Sequence, residues 1–250
     1  MSTTETRPVR RIERVRHEIV RRELEVTKVE RLGPHFTSVT LRGESLATFR
    51  SDSFDDHVKV FFPEGEGEPA RRDFTPRQFS RKQQELTLEF ALHEHGPASD
   101  WARQAAVGQP LVVAGPRGSM VISLDYAWHL LIGDASALPA IHRRLDELPA
   151  GVRATVVVLM DDPADRRELS SRAELDVHWV ENEAALHAAV AAIAVPEGDV
   201  FAWAAGEAAV MARLRPLLLD KGLPKESLKV AAYWKAGAQA FHETLGDASV

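Results

Sequence analysis

Six consecutive residues, Arg72-Asp73-Phe74-Thr75-Pro76-Arg77, bring a guanidinium, an aromatic ring and a hydroxyl into a very short span. A flavin asks for such a set: a cation for its pyrophosphate, an aromatic face beside the isoalloxazine, and a small hydrogen-bonding group near its reactive nitrogen N5. If the segment is extended, Arg72 and Phe74 share one face while Thr75 projects oppositely or marks a turn. An arginine-flanked barrel strand without a ligand would look the same.

A second segment, His93-Glu94-His95-Gly96-Pro97-Ala98-Ser99-Asp100-Trp101-Ala102, precedes a predicted helix over 97–106, with Ser99 placed to cap or open it. Free N–H groups and the dipole at such a terminus favour a phosphate, and Gly96 permits close backbone approach. His93 and His95 lack a third convincing ligand, so they read as polar strand-end residues, and no metal site is expected. Further on, Gly133-Asp134-Ala135-Ser136-Ala137-Leu138-Pro139-Ala140-Ile141 occupies the place of a first βα turn, where α/β folds bind nucleotides. Trp203-Ala204-Ala205-Gly206-Glu207 and Tyr233-Trp234-Lys235-Ala236-Gly237 each follow an apolar run. Either could also be core packing at a strand end.

The elements that must position these residues change character along the chain. In ELTLEFALH, Leu86, Leu88, Phe90 and Leu92 alternate with Thr87, Glu89 and Ala91, the period of a half-buried strand. HVKVFF repeats it with Val58, Val60 and Phe62 against His57 and Lys59, and FTSVTL and PLVVAG add two shorter strands. After Gly115-Pro116-Arg117-Gly118, apolar strands alternate with helices. LLIG leads to ALPAIHRRLDEL, whose Leu138, Ile141, Leu145 and Leu148 share a helical face; ATVVVLM, VHWV, VFAWAA and LKVAAYW continue the series with helices between. The pattern predicts an N-terminal antiparallel β-barrel over 1–122 and a C-terminal Rossmann-like parallel α/β domain over 123–250.

Composition narrows the chemistry. The 250 residues are 44% hydrophobic and 27% charged, ordinary for a globular chain, and the formal net charge of -6 disfavours nucleic acid as a partner. The arginines between Arg7 and Arg31 are interspersed with Glu13, Glu18, Glu23 and Glu25, which reads as a solvated face. With no cysteine, disulfides, thiol nucleophiles, zinc-thiolate sites and a fused iron–sulfur cluster are excluded. Electrons for a flavin must therefore come from a dissociable pyridine nucleotide or a separate electron-carrier protein. No apolar leader opens the chain and no stretch reaches ~18 uninterrupted apolar residues, so a cytoplasmic location away from membranes is expected.

The Arg72–Thr75 pattern resembles the R-x-Y-[ST] motif of ferredoxin–NADP reductase-like flavoenzymes, and Arg77 extends it to the R-x-Y-T-x-R form of siderophore-interacting proteins. Phe74 stands where that family has tyrosine. His93–Ala102 is similar to the family's H-G-x-G-P-A-S-x-W-A, with Glu94 in place of glycine. Residues 133–141, 203–207 and 233–237 resemble G-D-E-T-A-L-P-A-I, W-x-A-G-E and Y-W-[KR]-x-G, in the same order, with Ala135 in place of glutamate. The resemblance implies an FAD-dependent ferric-siderophore reductase drawing on NADH or NADPH. It implies FAD contacts from Arg72, Phe74, Thr75, Arg77, His93, His95, Gly96, Pro97, Ala98, Ser99 and Trp101. On the nucleotide side it implies Asp134, Ser136, Ala137, Gly206, Glu207 and Trp234. Thr75 and Lys235 are the implied catalytic pair, and Lys59, Arg77 and Lys235 a basic rim for the ferric siderophore. Asp161 and Asp162 would suit NADH and Arg166 and Arg167 NADPH, and both remain open. A flavin reductase with another acceptor uses the same residues; a non-catalytic siderophore-binding protein is disfavoured by the 133–141 and 203–207 segments.

Overall fold

The computed structural model describes residues 11–63, 67–238 and 243–245. The first half holds β1 (Ile12–Arg16), β2 (Arg21–Gly33), β3 (Phe36–Arg42), β4 (Val58–Phe62), β5 (Ala70–Phe74), β6 (Gln78–Ser80) and β7 (Glu85–Ala91), then helix α1 (Pro97–Gln104), β8 (Pro110–Ala114) and β9 (Gly118–Ile122). Seven strands form one antiparallel sheet in the order β5-β4-β8-β2-β3-β7-β6, while β1 pairs with β9. Alternate residues fill the interior: Val58, Val60 and Phe62 from β4, Leu86, Leu88 and Phe90 from β7, and Leu24 and Val26 from β2 are all buried. Phe74 on the edge strand β5 packs with its ring centroid 4.5 Å from that of Phe90 on β7. That contact reaches across the sheet and curls it into a barrel.

The second half holds β10 (Trp128–Asp134), α2 (Leu138–Glu147), β11 (Arg153–Leu159), β12 (Glu174–Val180), α3 (Glu183–Ala192), β13 (Val200–Glu207), α4 (Ala208–Asp220), β14 (Leu228–Trp234) and β15 (Glu243–Leu245). The order is β12-β11-β10-β13-β14-β15, with the first five parallel and β15 antiparallel to β14. Successive residues of β10 serve opposite faces. Leu131 packs with α2 through Ile141 and Leu145, whereas Leu130 and Ile132 pack with α3 and α4 through Leu186, Val190 and Leu214. This is why its strands read as unbroken apolar runs.

The α2 face also meets the barrel. Phe36 and Phe54 belong to the same cluster of buried residues as Leu131, Ile141 and Trp203. Polar groups cross the same seam. Asp55, 3% exposed at its side chain, accepts from Lys229 Nζ at 2.5 Å and from Trp203 Nε1 at 3.1 Å. Burial alone would raise the Asp55 carboxyl, but Lys229, helped by Trp203 and Ser53, outweighs it and holds the group below its ordinary value. Arg143 donates to Ser51 Oγ at 2.8 Å and to the carbonyls of Ser51 and Pro76 at 3.0 Å. His35, in the β2–β3 turn, donates its backbone N–H to Asp165 Oδ1 at 2.8 Å and sets Nδ1 2.7 Å from Oδ2.

Most charges of the N-terminal arginine run face water as expected, Glu13, Arg14, Arg16, Glu18 and Arg31 among them, but Arg22 departs from that face. Every second residue from Arg22 to Val26 is buried, and the Arg22 guanidinium donates to the carbonyls of Val20, Ser45 and Gly115. Between them, the alternate residues Arg21, Glu23 and Glu25 face water. α1 ends two residues earlier than predicted, and Ser99 does not cap it: the hydroxyl accepts from the His93 N–H at 2.9 Å, tying the helix back to the end of β7.

His129 on β10 is fully buried between Tyr126 and Phe201. Burial, reinforced by the Arg144 cation, lowers it to about 3 from 6.5. A depressed base is neutral when folded but protonated when unfolded, so its contribution is present above about 6.5 and is lost as pH falls toward 3. One proton taken up on unfolding corresponds to a slope of ~1.4 kcal/mol per pH unit across that window. His129→Phe, which keeps the aromatic volume, is expected to flatten denaturant-measured stability by about that slope between pH 6 and pH 4. An unchanged slope would rule out a neutral buried imidazole.

A cleft at the seam of the two sheets

The barrel edge β5, the start of α1 and the C-terminal ends of β10 and β14 enclose a cleft of about 590 Å³. It lies where the parallel strand order reverses, with β11 on one side of β10 and β13 on the other. Crevices outside strand carboxyl ends at such a switch point are where α/β sheets bind ligands. Arg72, Phe74, Thr75 and Lys59 line the barrel side. His93, His95, Gly96, Pro97, Ala98 and Ser99 line the α1 end, and Ser136, Trp234 and Lys235 the α/β side.

These groups fit a flavin dinucleotide. α1 begins with Pro97 after Gly96, and no side chain caps its first turn, so its N–H groups are available to an anion. Gly96 has φ 138°, which favours glycine, and a Cβ there would meet no atom within 4 Å, so the backbone faces open space. Arg71 and Arg72 stand across the cleft, and Phe74, Ala91, Pro139 and Trp234 supply apolar walls. The volume is that of a pocket for a cofactor-sized molecule.

One carboxylate organises the α/β wall. Asp134 Oδ2, at the end of β10, accepts from Trp234 Nε1 at 2.8 Å and from Glu207 N at 2.9 Å, while Oδ1 accepts from Ser136 N at 2.9 Å and Oγ at 2.5 Å. Gly206 makes room for it, since a Cβ there would lie 2.6 Å from Oδ2. Glu207 in turn caps α4 through Ala209 N and Val210 N and accepts from Ala236 N at 3.3 Å. The ends of β10, β13 and β14 are thus joined, and Trp234 is held with its indole 5.5 Å from the His93 ring. Thr75 is buried and hydrogen-bonds the Tyr233 hydroxyl from the opposite sheet; burial, then the Asp55 charge, pushes that phenol well above its ordinary value.

The family model for siderophore-interacting proteins matches residues 126–237, and that for the siderophore-interacting FAD-binding domain matches residues 25–70 and 63–120. The NADPH-dependent ferric-chelate reductase of Escherichia coli K12 is 35% identical over 246 residues, covering 90% of this chain and 96% of that one. The chain belongs to the siderophore-interacting protein family. A second relative, the ferric vibriobactin reductase ViuB of Vibrio cholerae O395, is 29% identical over 89% of this chain and 93% of its own. The crystal structure of a siderophore utilization protein from T. fusca superposes with a TM-score of 0.87 at 31% identity, covering 92% of this chain and 98% of that one.

Several residues that the family resemblance pointed to lie outside the cleft wall. Arg77 is buried with Nη1 2.7 Å from Asp146 and Nε 3.5 Å from Glu89, so it braces α2 against the barrel and does not line the cleft. Trp101 packs in the barrel between Phe62 and Phe90, at 5.8 and 5.6 Å. Asp134, Gly206 and Glu207 stand behind the wall as its scaffold, and Ala137 is buried at the start of α2. Phe74 shares its ring between barrel core and cleft. Sequence reasoning missed Tyr233 as a partner of Thr75, and Glu89, which is buried in the wall and held by Arg167 at 2.5 Å. Leu86 and Leu88 made the Glu89 position read as solvent-facing; only the partner arginine, far away in sequence, reverses that.

Asp134→Ala removes four accepted hydrogen bonds and is expected to destabilise the fold by ~2–4 kcal/mol in chemical denaturation, with a red-shifted indole emission as Trp234 is released. Asp134→Asn keeps one acceptor oxygen and should recover part of the loss. A variant with unchanged stability and emission would show that the three strand ends hold without it.

Proposed function

We infer that this protein is an FAD-dependent ferric-siderophore reductase that takes its electrons from NADPH. The observation that carries the reading is the cleft itself: an uncapped helix start and Arg72 face each other across a space with apolar walls and a cationic rim. The 35% identity to an NADPH-dependent ferric-chelate reductase supports both acceptor and donor.

The chain's own residues divide the work. We assign the pyrophosphate to Arg72 and the N–H groups of Ala98 and Ser99, with His93, His95 and Gly96 shaping the approach. Phe74 offers a ring face, and Thr75, oriented by Tyr233, a hydroxyl beside the reactive edge. Held there, FAD would supply the conversion of a two-electron hydride from the nicotinamide into single electrons for Fe(III), which a nicotinamide cannot readily deliver. Each electron converts one Fe(III) to Fe(II), which hard oxygen ligands hold far less tightly. Ser136 and Trp234 border the nicotinamide side, and Lys59 and Lys235 draw anionic chelates to the rim. Arg167 is committed to Glu89 across the seam, so Arg166, paired with the exposed Glu181 at 2.8 Å, is our choice for the 2′-phosphate of NADPH. Asp162, which caps the following turn, is already engaged at Ala164 N. No helix among the described residues is long and apolar enough to cross a membrane. We place the reaction in the cytoplasm, and propose residues 1–122 and 123–250 as the FAD and nucleotide domains.

The purified protein is expected to be yellow, to bleach anaerobically with NADPH, and to recolour on addition of a ferric tris-catecholate while an Fe(II) chelator captures the product. Arg72→Ala should weaken FAD binding roughly tenfold to a hundredfold, the loss of one charge-assisted phosphate contact. Release of FMN in place of FAD, or bleaching without recolouring by any ferric chelate, would overturn the reading.

A further inference from the structure

The charges lining the cleft are not all equally available to a ligand. Four side chains carry fixed positive charge, Lys59, Arg71, Arg72 and Lys235, and two are carboxylates, Asp73 and Glu89. Glu89 is neutralised from behind by Arg167 at 2.5 Å and Arg77 at 3.5 Å. Asp73 is different. It stands directly opposite Lys59 in the antiparallel β4–β5 ladder, so the two side chains leave the same face of the sheet. Its Oδ1 accepts from Lys59 Nζ at 2.6 Å, and both groups stay accessible, 46% for the lysine and 23% for the aspartate. Such an accessible pair is weak and yields to a competing anion.

We propose that Asp73 is a specificity-determining residue of the ferric-chelate site: by holding the Lys59 ammonium, it tempers the cleft's grip on polyanionic chelates and widens the range of chelate charge that the site accepts. This rests on the reading of the cleft as the place where the ferric chelate binds. A chelate must displace the Asp73 carboxylate to reach Lys59, so part of its attraction is spent breaking a pair already made. The same pair assists release. One-electron reduction of the iron leaves the chelate one unit more negative, and Asp73 can reclaim Lys59 as the chelate departs. Arg71 and Arg72 carry no comparable mask from the lining carboxylates: Arg71 reaches Glu68, outside the cleft wall, at 3.4 Å, and Arg72 donates to the Arg71 carbonyl.

The test uses the FAD-loaded protein and redox-inert gallium chelates, with Kd read from quenching of tryptophan fluorescence. One probe is a trianionic gallium tris-catecholate, the other a monocationic gallium trihydroxamate. Asp73→Asn should tighten the trianion roughly three- to tenfold and weaken the monocation, the former effect shrinking at high salt. Asp73→Glu, which retains a carboxylate within reach, should stay near wild type. In a Lys59→Gln background, Asp73→Asn should gain less than about twofold on the trianion, because no masked ammonium remains to release. Unchanged Kd values in Asp73→Asn, or an equal gain with and without Lys59, would overturn the proposal. Failure of the underlying reading looks different: the wild-type protein would then bind neither gallium chelate and reduce neither iron counterpart.

Discussion

The buried carboxylate of Asp55 carries a paired charge across the seam between the two halves of this molecule. It leaves the barrel side, enters the α/β side, and meets the Lys229 ammonium and the Trp203 indole with almost no contact with water. Two charges taken out of water are expensive, and their attraction offsets that cost only when geometry is good and the remaining lone pairs are filled. Both conditions hold, since Ser53 Oγ donates to Asp55 Oδ1 at 3.0 Å. The arrangement has one satisfied alignment of barrel and sheet, and a shift of either half leaves a charge buried alone. Apolar contact between Phe54 and Trp203, with ring centroids 5.3 Å apart, could tolerate sliding; the ion pair does not.

The cleft follows from that alignment. Its barrel wall ends at Thr75 and its α/β wall at Tyr233, and the hydrogen bond between them closes the floor. Around it, Arg143, Arg77, Arg167 and His35 make further crossings, each to a carbonyl, hydroxyl or carboxylate of the opposite half. The family's second-domain motifs acquire a physical meaning here. Their Asp, Gly-Glu and Tyr-Trp residues tie three strand ends into one surface, against which a cofactor held by the barrel can be presented to a nicotinamide. Binding and positioning are therefore shared between halves that neither could supply alone.

Much of this was legible in the sequence. The period-2 residues of β4 and β7 and the apolar runs of β10, β11 and β13 carry their own signal, because burial on one or both faces of a sheet is a local pattern. The motif segments were legible too, and most of them line the cleft. What stayed hidden depends on partners far along the chain. Arg143 and Glu89 are charged residues in positions that periodicity assigns to solvent, and they, like Arg22 and Arg77, are buried because a distant group satisfies each. Lys229, one residue inside a strand that reads as LKVAAYW, gives no hint of an aspartate 174 positions earlier. The alternation of β2 was masked in the same way, by arginines and glutamates on its wet face.

If the seam makes the cleft, weakening the seam must weaken the cofactor's hold even though Lys229 does not line the site. Lys229→Met keeps the length of the side chain and strands the Asp55 charge, a change that costs about 3–5 kcal/mol in comparable buried pairs. The decisive measurement is the Kd of FAD for this variant, at a temperature where circular dichroism shows it folded. The account predicts a loss of about tenfold or more in affinity, because barrel and sheet no longer share one alignment. A folded, destabilised variant that binds FAD as tightly as wild type would contradict it, and would assign the cofactor to the barrel alone.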